Sequence, residues 1–359
     1  MKTEEIEELL KAPEKEPPIQ SSDWLSTGSA LLNLSCSGNA KGGFAKGKYH
    51  FIVGDSASGK TWLSLTCLAE AAMNPEFDNY RFIYDNAEDG ALMDIQKFFG
   101  AKVAERIESP MIDEDGLLDY SSTIEEFYFN VDDAIQEQKP FIYILDSMDS
   151  LSSKPEQDKF DEQKTAMRKG KETSGSYGDG KAKINSSHLR KIMPFLRKTK
   201  SILIIINQTR DNLGFGFEKK TRSGGHALMF YASLVIWSSK AGQLKKSVRG
   251  KDREIGITSK IKVKKNRFTG RLREISIPLY HSFGIDDVGS SVDYLVAEKY
   301  WTKTKQTINA DDFEIKATRE KLIRQIQEQN LESKLAELVE QVWNEIESEC
   351  AIDRKPKYS

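Results

Sequence analysis

The chain has few cysteines, no long apolar run and no excess of charge of either sign, and each lack excludes something. Cys36, Cys67 and Cys350 are too few and too scattered, and odd in number, so neither a disulfide framework nor a zinc cage is expected. No apolar stretch approaches the roughly 20 residues that cross a bilayer. The first residues include Glu4, Glu5, Glu7 and Glu8 where a secretory leader would be basic. A cytoplasmic protein is therefore expected, with no membrane partner. The 53 Lys and Arg residues nearly balance the 55 Asp and Glu, so whole-chain charge points to no polyanionic partner. At 359 residues there is chain enough for one α/β core with one or two small appended units.

What is present centres on Gly54-Asp55-Ser56-Ala57-Ser58-Gly59-Lys60-Thr61, the glycine spacing of a phosphate loop followed by Lys and Thr. Tyr49, Phe51, Ile52 and Val53 before it read as a buried strand, and Trp62, Leu63, Leu65, Leu68 and Ala72 after it as a helix. The glycines let backbone N–H groups turn inward around phosphates, and the helix N-terminus adds about half an elementary charge. In such a loop Lys60 neutralises the β- and γ-phosphates and the Thr61 hydroxyl ligates Mg2+. ATP and Mg2+ are the expected ligands.

Three further apolar runs end in polar residues suited to the same crevice. The strand predicted from Arg81 closes on Asp85-Asn86-Ala87-Glu88, and Glu88 is a candidate general base. Phe141 to Leu145 ends in Asp146-Ser147, where phosphate-loop enzymes hold the Mg2+ shell. Ile202 to Ile206 ends in Asn207-Gln208, amides placed to sense a γ-phosphate. Two long polar stretches follow the last two strands. Ser152 to Ile184, with Lys154, Lys159, Lys164, Arg168 and Lys169, reads as a long loop before a helix from Ser186 to Lys200, whose buried side is Leu189, Ile192, Met193, Phe195 and Leu196. Thr209 to Gly225 reads as a flexible stretch in which Arg210, Lys219, Lys220 and Arg222 stand among Phe215 and Phe217. Cations meet phosphates and rings stack on bases, the composition that suits single-stranded nucleic acid.

The remainder is simpler. Thr3 to Lys11 is a short acidic helix pattern broken by Pro13, Pro17 and Pro18, either an unfolded arm or a segment that docks on another surface. Lys240 to Arg273 holds thirteen basic residues and alternates as an antiparallel extension, with strands at 255–257, 261–263 and 272–275. From Thr318, Leu322, Ile323, Ile326, Leu335, Leu338, Val339, Val342, Trp343 and Ile346 recur at helical spacing.

Taken in order, the phosphate loop, Asn86-Ala87-Glu88, Leu145-Asp146-Ser147, Ile206-Asn207-Gln208, Gly224-Gly225-His226-Ala227-Leu228-Met229-Phe230-Tyr231 and Lys262-Val263-Lys264-Lys265-Asn266-Arg267 resemble the RecA family of recombinases, including the UvsX-type recombinases of phages. The resemblance covers about Leu25 to Trp301. It implies an α/β fold with a RecA-type phosphate-loop core, a mostly parallel central sheet and helices on both faces. Around that core it implies a short N-terminal arm and a small C-terminal helical domain, divided as 1–24, 25–301 and 302–359. By the same resemblance Glu88 is the catalytic glutamate and Gln208 couples the γ-phosphate to the second DNA loop. Lys265 and Arg267 would reach the ATP of a neighbouring subunit. Ser186, Arg190 and Arg210 would contact the DNA backbone, Gly224 and Gly225 would belong to the second DNA loop with Arg168 and Lys169 in the first, and Phe230 would sit at the subunit interface.

The implied activity is ATP-dependent homologous pairing and strand exchange, by a homo-oligomeric helical filament on single-stranded DNA that then takes up duplex DNA. A hexameric helicase-type motor and a regulatory ATPase are the other uses of such a fold. Two departures stand out. The acid that usually precedes Glu88 has either moved to Asp85 or become Asn86, and position 267 is Arg where bacterial members usually have Lys.

Overall fold

The apolar runs predicted as strands form the centre of one sheet in the structure, a computed structural model that describes residues 19–169, 180–211, 220–222, 225–355 and 357. The expected arm helix lies outside the described residues, as do Phe215, Phe217, Lys219 and Gly224. The strands are β1 (Tyr49–Gly54), β2 (Arg81–Asp85), β3 (Ile107–Glu108), β4 (Phe141–Leu145), β5 (Ile202–Asp211), β6 (Lys220–Arg222), β7 (Leu234–Val248), β8 (Lys251–Asn266), β9 (Glu274–Tyr280) and β10 (Gly284–Ile285). Their order is β10-β9-β8-β7-β1-β5-β4-β2-β3, with β6 paired to the far end of β5. From β7 to β3 the pairing is parallel, and β7 to β10 form the antiparallel extension.

Parallel strands covered on both faces need apolar side chains at successive positions, which is why they were legible as continuous runs. Alternation sends Ile52, Phe82, Tyr84, Ile144, Ile204 and Ile206 to one face, where Leu63, Leu65 and Leu68 of a helix at Lys60–Met73 cover them. Phe51, Val53, Ile83, Tyr143, Leu145, Leu203 and Ile205 go to the other face, under helices at Ile124–Gln136 and Gly180–Thr199. In chain order the helices are α1 (Ala30–Ser37), α2 (Lys60–Met73), α3 (Ile124–Gln136), α4 (Lys154–Arg168), α5 (Gly180–Thr199), α6 (His226–Tyr231), α7 (Asp287–Ala297), α8 (Arg319–Glu328) and α9 (Glu332–Glu349), apart from two one-turn helices between β2 and β3. The fold is α/β, mostly parallel, with helices on both faces.

Four expectations are corrected. The first polar stretch is not all loop: α4 occupies it, started by a reciprocal cap between Ser153 and Glu156, and none of its residues is buried. α5 begins at Gly180 rather than Ser186, and its Phe195 is 48% exposed rather than part of the core. The second polar stretch opens as strand, because β5 runs on to Asp211 and pairs with β6. The helical unit expected after 301 begins instead with a three-stranded antiparallel sheet of Thr302–Thr304, Thr307–Ala310 and Ile315–Thr318. Its apolar residues share a cluster with α1: Leu31 and Leu34 meet Leu295, Trp301, Leu322 and Val339. Arg271 and Arg273 both pair with the buried carboxylate of Glu347 on α9. Among the described residues no helix is long and apolar enough to cross a membrane.

Candidate functional site

The phosphate loop is built by close packing. A Cβ on Gly54 would collide with the side chain and carbonyl of Ser238 on the neighbouring β7, and Gly59, which caps α2, holds φ at +93°, where glycine is favoured. Ser58 Oγ lies 2.8 Å from Ser238 Oγ, and Ser259 Oγ on β8 donates to the Ser58 carbonyl at 2.8 Å. The loop is thus braced by the two strands beside it. Lys60 Nζ donates to the Asp55 carbonyl at 2.7 Å, and burial lowers its pKa against the pull of Asp146, Glu88, Asp55 and Asp149. A buried ammonium whose single hydrogen bond among the described residues is to a carbonyl has donors left for phosphate oxygens.

Asp146, at the end of β4, is almost wholly buried, and burial pushes its carboxyl pKa up. Its Oδ2 accepts from Thr61 Oγ1 at 2.7 Å and from Tyr84 OH at 2.9 Å. Among the described residues no three His, Cys, Asp or Glu side chains gather into a metal cage. A Thr–Asp pair beside a phosphate loop does fit Mg2+, which usually takes one or two protein oxygens and fills its shell with phosphate and water.

Glu88 stands across the crevice. Its N–H donates to the Asp146 carbonyl at 2.9 Å; its Oε2 accepts from Ser147 Oγ at 2.9 Å and its Oε1 from Gln208 Nε2 at 2.6 Å. The Gln208 N–H donates to the Asp149 carboxylate, and Thr209 Oγ1 donates to Asp55 in the phosphate loop. The ends of β1, β5, β4 and β2, adjacent in the sheet, therefore meet in one hydrogen-bonded crevice. Neither candidate for the acid before Glu88 enters it. Asp85 turns to the opposite face, where Ser121 N and Oγ and Tyr143 OH donate to it, the last at 2.8 Å, and burial raises its pKa. Asn86 Oδ1 accepts from the N–H groups of Gly90 and Ala91 and so holds the turn that carries Glu88.

Lys265 and Arg267 are not brought to this crevice. Lys265 pairs with Val235, and Val235 with Phe51, three residues before Gly54, so both cations lie toward the opposite end of the sheet. There Lys265 Nζ donates to the Met229 and Phe230 carbonyls at 2.8 and 2.6 Å, and Arg267 Nη2 to Phe230 at 2.8 Å. Burial, and then the Arg267 charge, push the Lys265 pKa down to about 8. Phe230 beside them is 64% exposed. Arg190 is exposed and its Nε donates to Tyr231 OH at 3.3 Å; Ser186 is half-buried on α5. Arg168 and Lys169 are exposed at the end of α4. Gly225 has φ of +77° and admits no Cβ because of Ala182. Arg210, Lys220 and Arg222 belong to the β5–β6 ribbon, where Arg210 pairs with Thr221 and Arg222 with Thr209.

A family model, the RecA N-terminal domain, matches residues 144–286. Protein RecA of Cytophaga hutchinsonii is 30% identical over 275 residues, 75% of this chain and 67% of that protein. Protein RecA of Thermus thermophilus is 28% identical over 312 residues, 82% of this chain and 81% of that protein. The chain belongs to the RecA family of recombinases. In this RecA-type recombinase the crevice also uses residues to which the sequence alone gave no role. Ser147 holds Glu88, Asp149 holds the Gln208 main chain, Thr209 ties β5 to the phosphate loop, and Ser238 braces that loop. Tyr84 could have been found from strand parity, since it shares the α2 face with Phe82 while Asp85 cannot.

Proposed function

We propose that the chain is a DNA-dependent ATPase that assembles as a helical filament on single-stranded DNA and there pairs it with a homologous duplex and exchanges strands. The observation that carries this reading is Gln208, whose side chain lies on Glu88 while its main chain opens the ribbon leading to the second basic stretch. One residue thus touches both the hydrolytic carboxylate and the segment read as DNA-binding. Bound ATP with Mg2+ supplies a γ-phosphoryl group whose developing charge the metal offsets. Lys60 contributes a desolvated cation, and Thr61 and Asp146 are the protein oxygens that would hold the metal. Glu88 would take the proton of the attacking water at Oε1, the oxygen on which Gln208 rests, so Gln208 must leave it before hydrolysis.

Lys265 and Arg267 would complete the crevice of the next subunit. A contact between one end of a molecule and the other end of its neighbour is heterologous and repeats into an open helix unless the rotation closes. The two polar stretches, with Arg168, Lys169, Ser186, Arg190, Arg210, Phe215, Phe217, Lys219, Lys220, Arg222, Gly224 and Gly225, would face DNA. The three-part division at 24/25 and 301/302 and a cytoplasmic setting belong to the same reading. Glu88→Gln should retain ATP and assemble on single strands while turnover falls about 10²- to 10⁴-fold. Negative-stain microscopy of that variant with ATP and single-stranded DNA should show open helical filaments. Closed rings, or particles indifferent to DNA, would overturn the reading.

A further inference from the structure

Among the described residues, Asp146 takes two hydrogen bonds on one carboxylate oxygen and none on the other. Thr61 Oγ1 donates to Oδ2 at 2.7 Å, and Tyr84 OH donates to the same atom at 2.9 Å. Tyr84 is buried on the α2 face of β2 beside Phe82. A buried phenol needs an acceptor, so one such bond asks for no further reason. The choice of acceptor does. A phenol in need of any partner would be served as well by Oδ1, the oxygen that no other group uses.

The doubled bond restricts what Asp146 can do. A carboxylate oxygen has about two lone-pair sites, so Oδ2 is filled. The main chain is held as well: the Asp146 N–H donates to the Asp85 carbonyl and its own carbonyl accepts from the Glu88 N–H, both at 2.9 Å. Only the side-chain torsions remain, and Thr61 from α2 and Tyr84 from β2 grip the carboxylate between them. Asp146 can then offer a cation Oδ1 alone; to offer both oxygens it must give up a donor. Thr61, which gives its proton to Asp146, keeps its lone pairs for the same cation. These terms suit one kind of divalent ion. Mg2+ demands near-octahedral geometry at about 2.0–2.1 Å, keeps several waters and takes carboxylates sparingly. Ca2+ takes roughly 6–8 oxygens at longer range and readily accepts both oxygens of one carboxylate.

We propose that Tyr84 is a positioning residue that sets metal specificity: its hydroxyl holds Asp146 to the contribution of one oxygen and so fits the crevice to Mg2+ against Ca2+. It acts through Asp146 and not on the nucleotide. The inference rests on the reading of Thr61 and Asp146 as the protein oxygens that hold the metal.

The test uses the full chain, without DNA, and Tyr84→Phe, which removes one oxygen and keeps the ring. Tyr143→Phe is the control, since it too takes a buried phenol from a buried carboxylate, that of Asp85 at 2.8 Å, but on the opposite face of the sheet. Thermal melting checks that both fold; Tyr84→Met, which also lacks a donor and adapts to irregular space, stands in should Tyr84→Phe not fold. Binding of a fluorescent, non-hydrolysable ATP analogue is followed while Mg2+ or Ca2+ is titrated, and the ratio of the two half-saturating concentrations is read. The analogue's own affinity for each ion is the same in every titration and cancels between proteins. Loss of a partner behind a metal ligand typically changes metal affinity about 10- to 100-fold. The preference for Mg2+ over Ca2+ should therefore fall by about 10-fold or more in Tyr84→Phe and stay at the parent's value in Tyr143→Phe. A general loosening of the crevice would instead weaken binding with both ions alike, and an unchanged ratio in the folded Tyr84 variant would overturn the proposal. An equal fall in Tyr143→Phe would overturn it too. If nucleotide binding by the parent responded to neither ion, the assignment of Thr61 and Asp146 as metal holders would go first, and the proposal with it.

Discussion

His50 is buried in the middle of the molecule's central strand, stacked on Phe44 with ring centroids 4.6 Å apart. Its Nε2 donates to the Ala45 carbonyl at 3.1 Å, and among the described residues its Nδ1 has no partner. Burial pushes its pKa down to about 4, whereas an unfolded imidazole titrates near 6.5. Between those values the unfolded chain binds a proton that the folded chain refuses, so stability is whole above about pH 6.5 and is lost as the pH falls toward 4. From pH 7 to pH 5 this one residue should cost about 2 kcal/mol. Denaturant unfolding at both values should show the parent losing that much more than His50→Leu; equal losses would remove His50 from the acid sensitivity. The same scale sets what could be read in advance. The glycines and Lys60 of the phosphate loop are legible because their spacing is the chemistry. The roles of Tyr84, Asp85 and Asn86 are not, because strand parity alone decides whether a polar side chain meets Asp146 or is buried on the far face with Tyr143.

Among the elements, the strands of the parallel half were legible as apolar runs, while α4 was not. A helix with no buried residue leaves no apolar period to read, and its one local sign was the Ser153–Glu156 cap. β8 raises a different question, since its basic end faces away from the crevice of its own chain. Lys265 and Arg267 rest on the carbonyls at the end of α6, a favourable place for cations. If they act on the next subunit, Lys265→Ala should bind nucleotide as a dilute monomer but fail to hydrolyse it when assembled. Mixing it with Lys60→Ala, whose own loop is disabled, should rebuild up to about a quarter of the interfaces in an equal random mixture. ATP turnover of the mixture should rise above that of either protein alone. No recovery, with co-assembly shown by light scattering, would argue against a shared site.

For the whole molecule, the proposed DNA-dependent ATPase requires that nucleotide and DNA bias one equilibrium. The crevice offers a specific switch: Gln208 Nε2 rests on Glu88 Oε1, the Gln208 N–H on Asp149, and the next residue, Thr209, on Asp55 of the phosphate loop. A change in the loop or at Glu88 therefore reaches β5 through two hydrogen bonds, the third holding the strand end to Asp149, and β5 carries it into the ribbon with β6. Coupling of this kind is reciprocal, so the factor by which single-stranded DNA tightens nucleotide binding must equal the factor by which nucleotide tightens DNA binding. In the parent both factors should fall in the range of about 5 to 150. Gln208→Ala removes the side-chain link but leaves the main-chain bond to Asp149 and the phosphate loop intact. Both factors should then drop together toward one, while nucleotide affinity without DNA stays close to the parent's. Titrating a fluorescent ATP analogue with and without single strands, and single strands with and without the analogue, gives all four constants. If the two factors in Gln208→Ala stay at the parent's value, the message passes by another route, and the Glu88–Gln208 contact is only a resting place for two polar side chains.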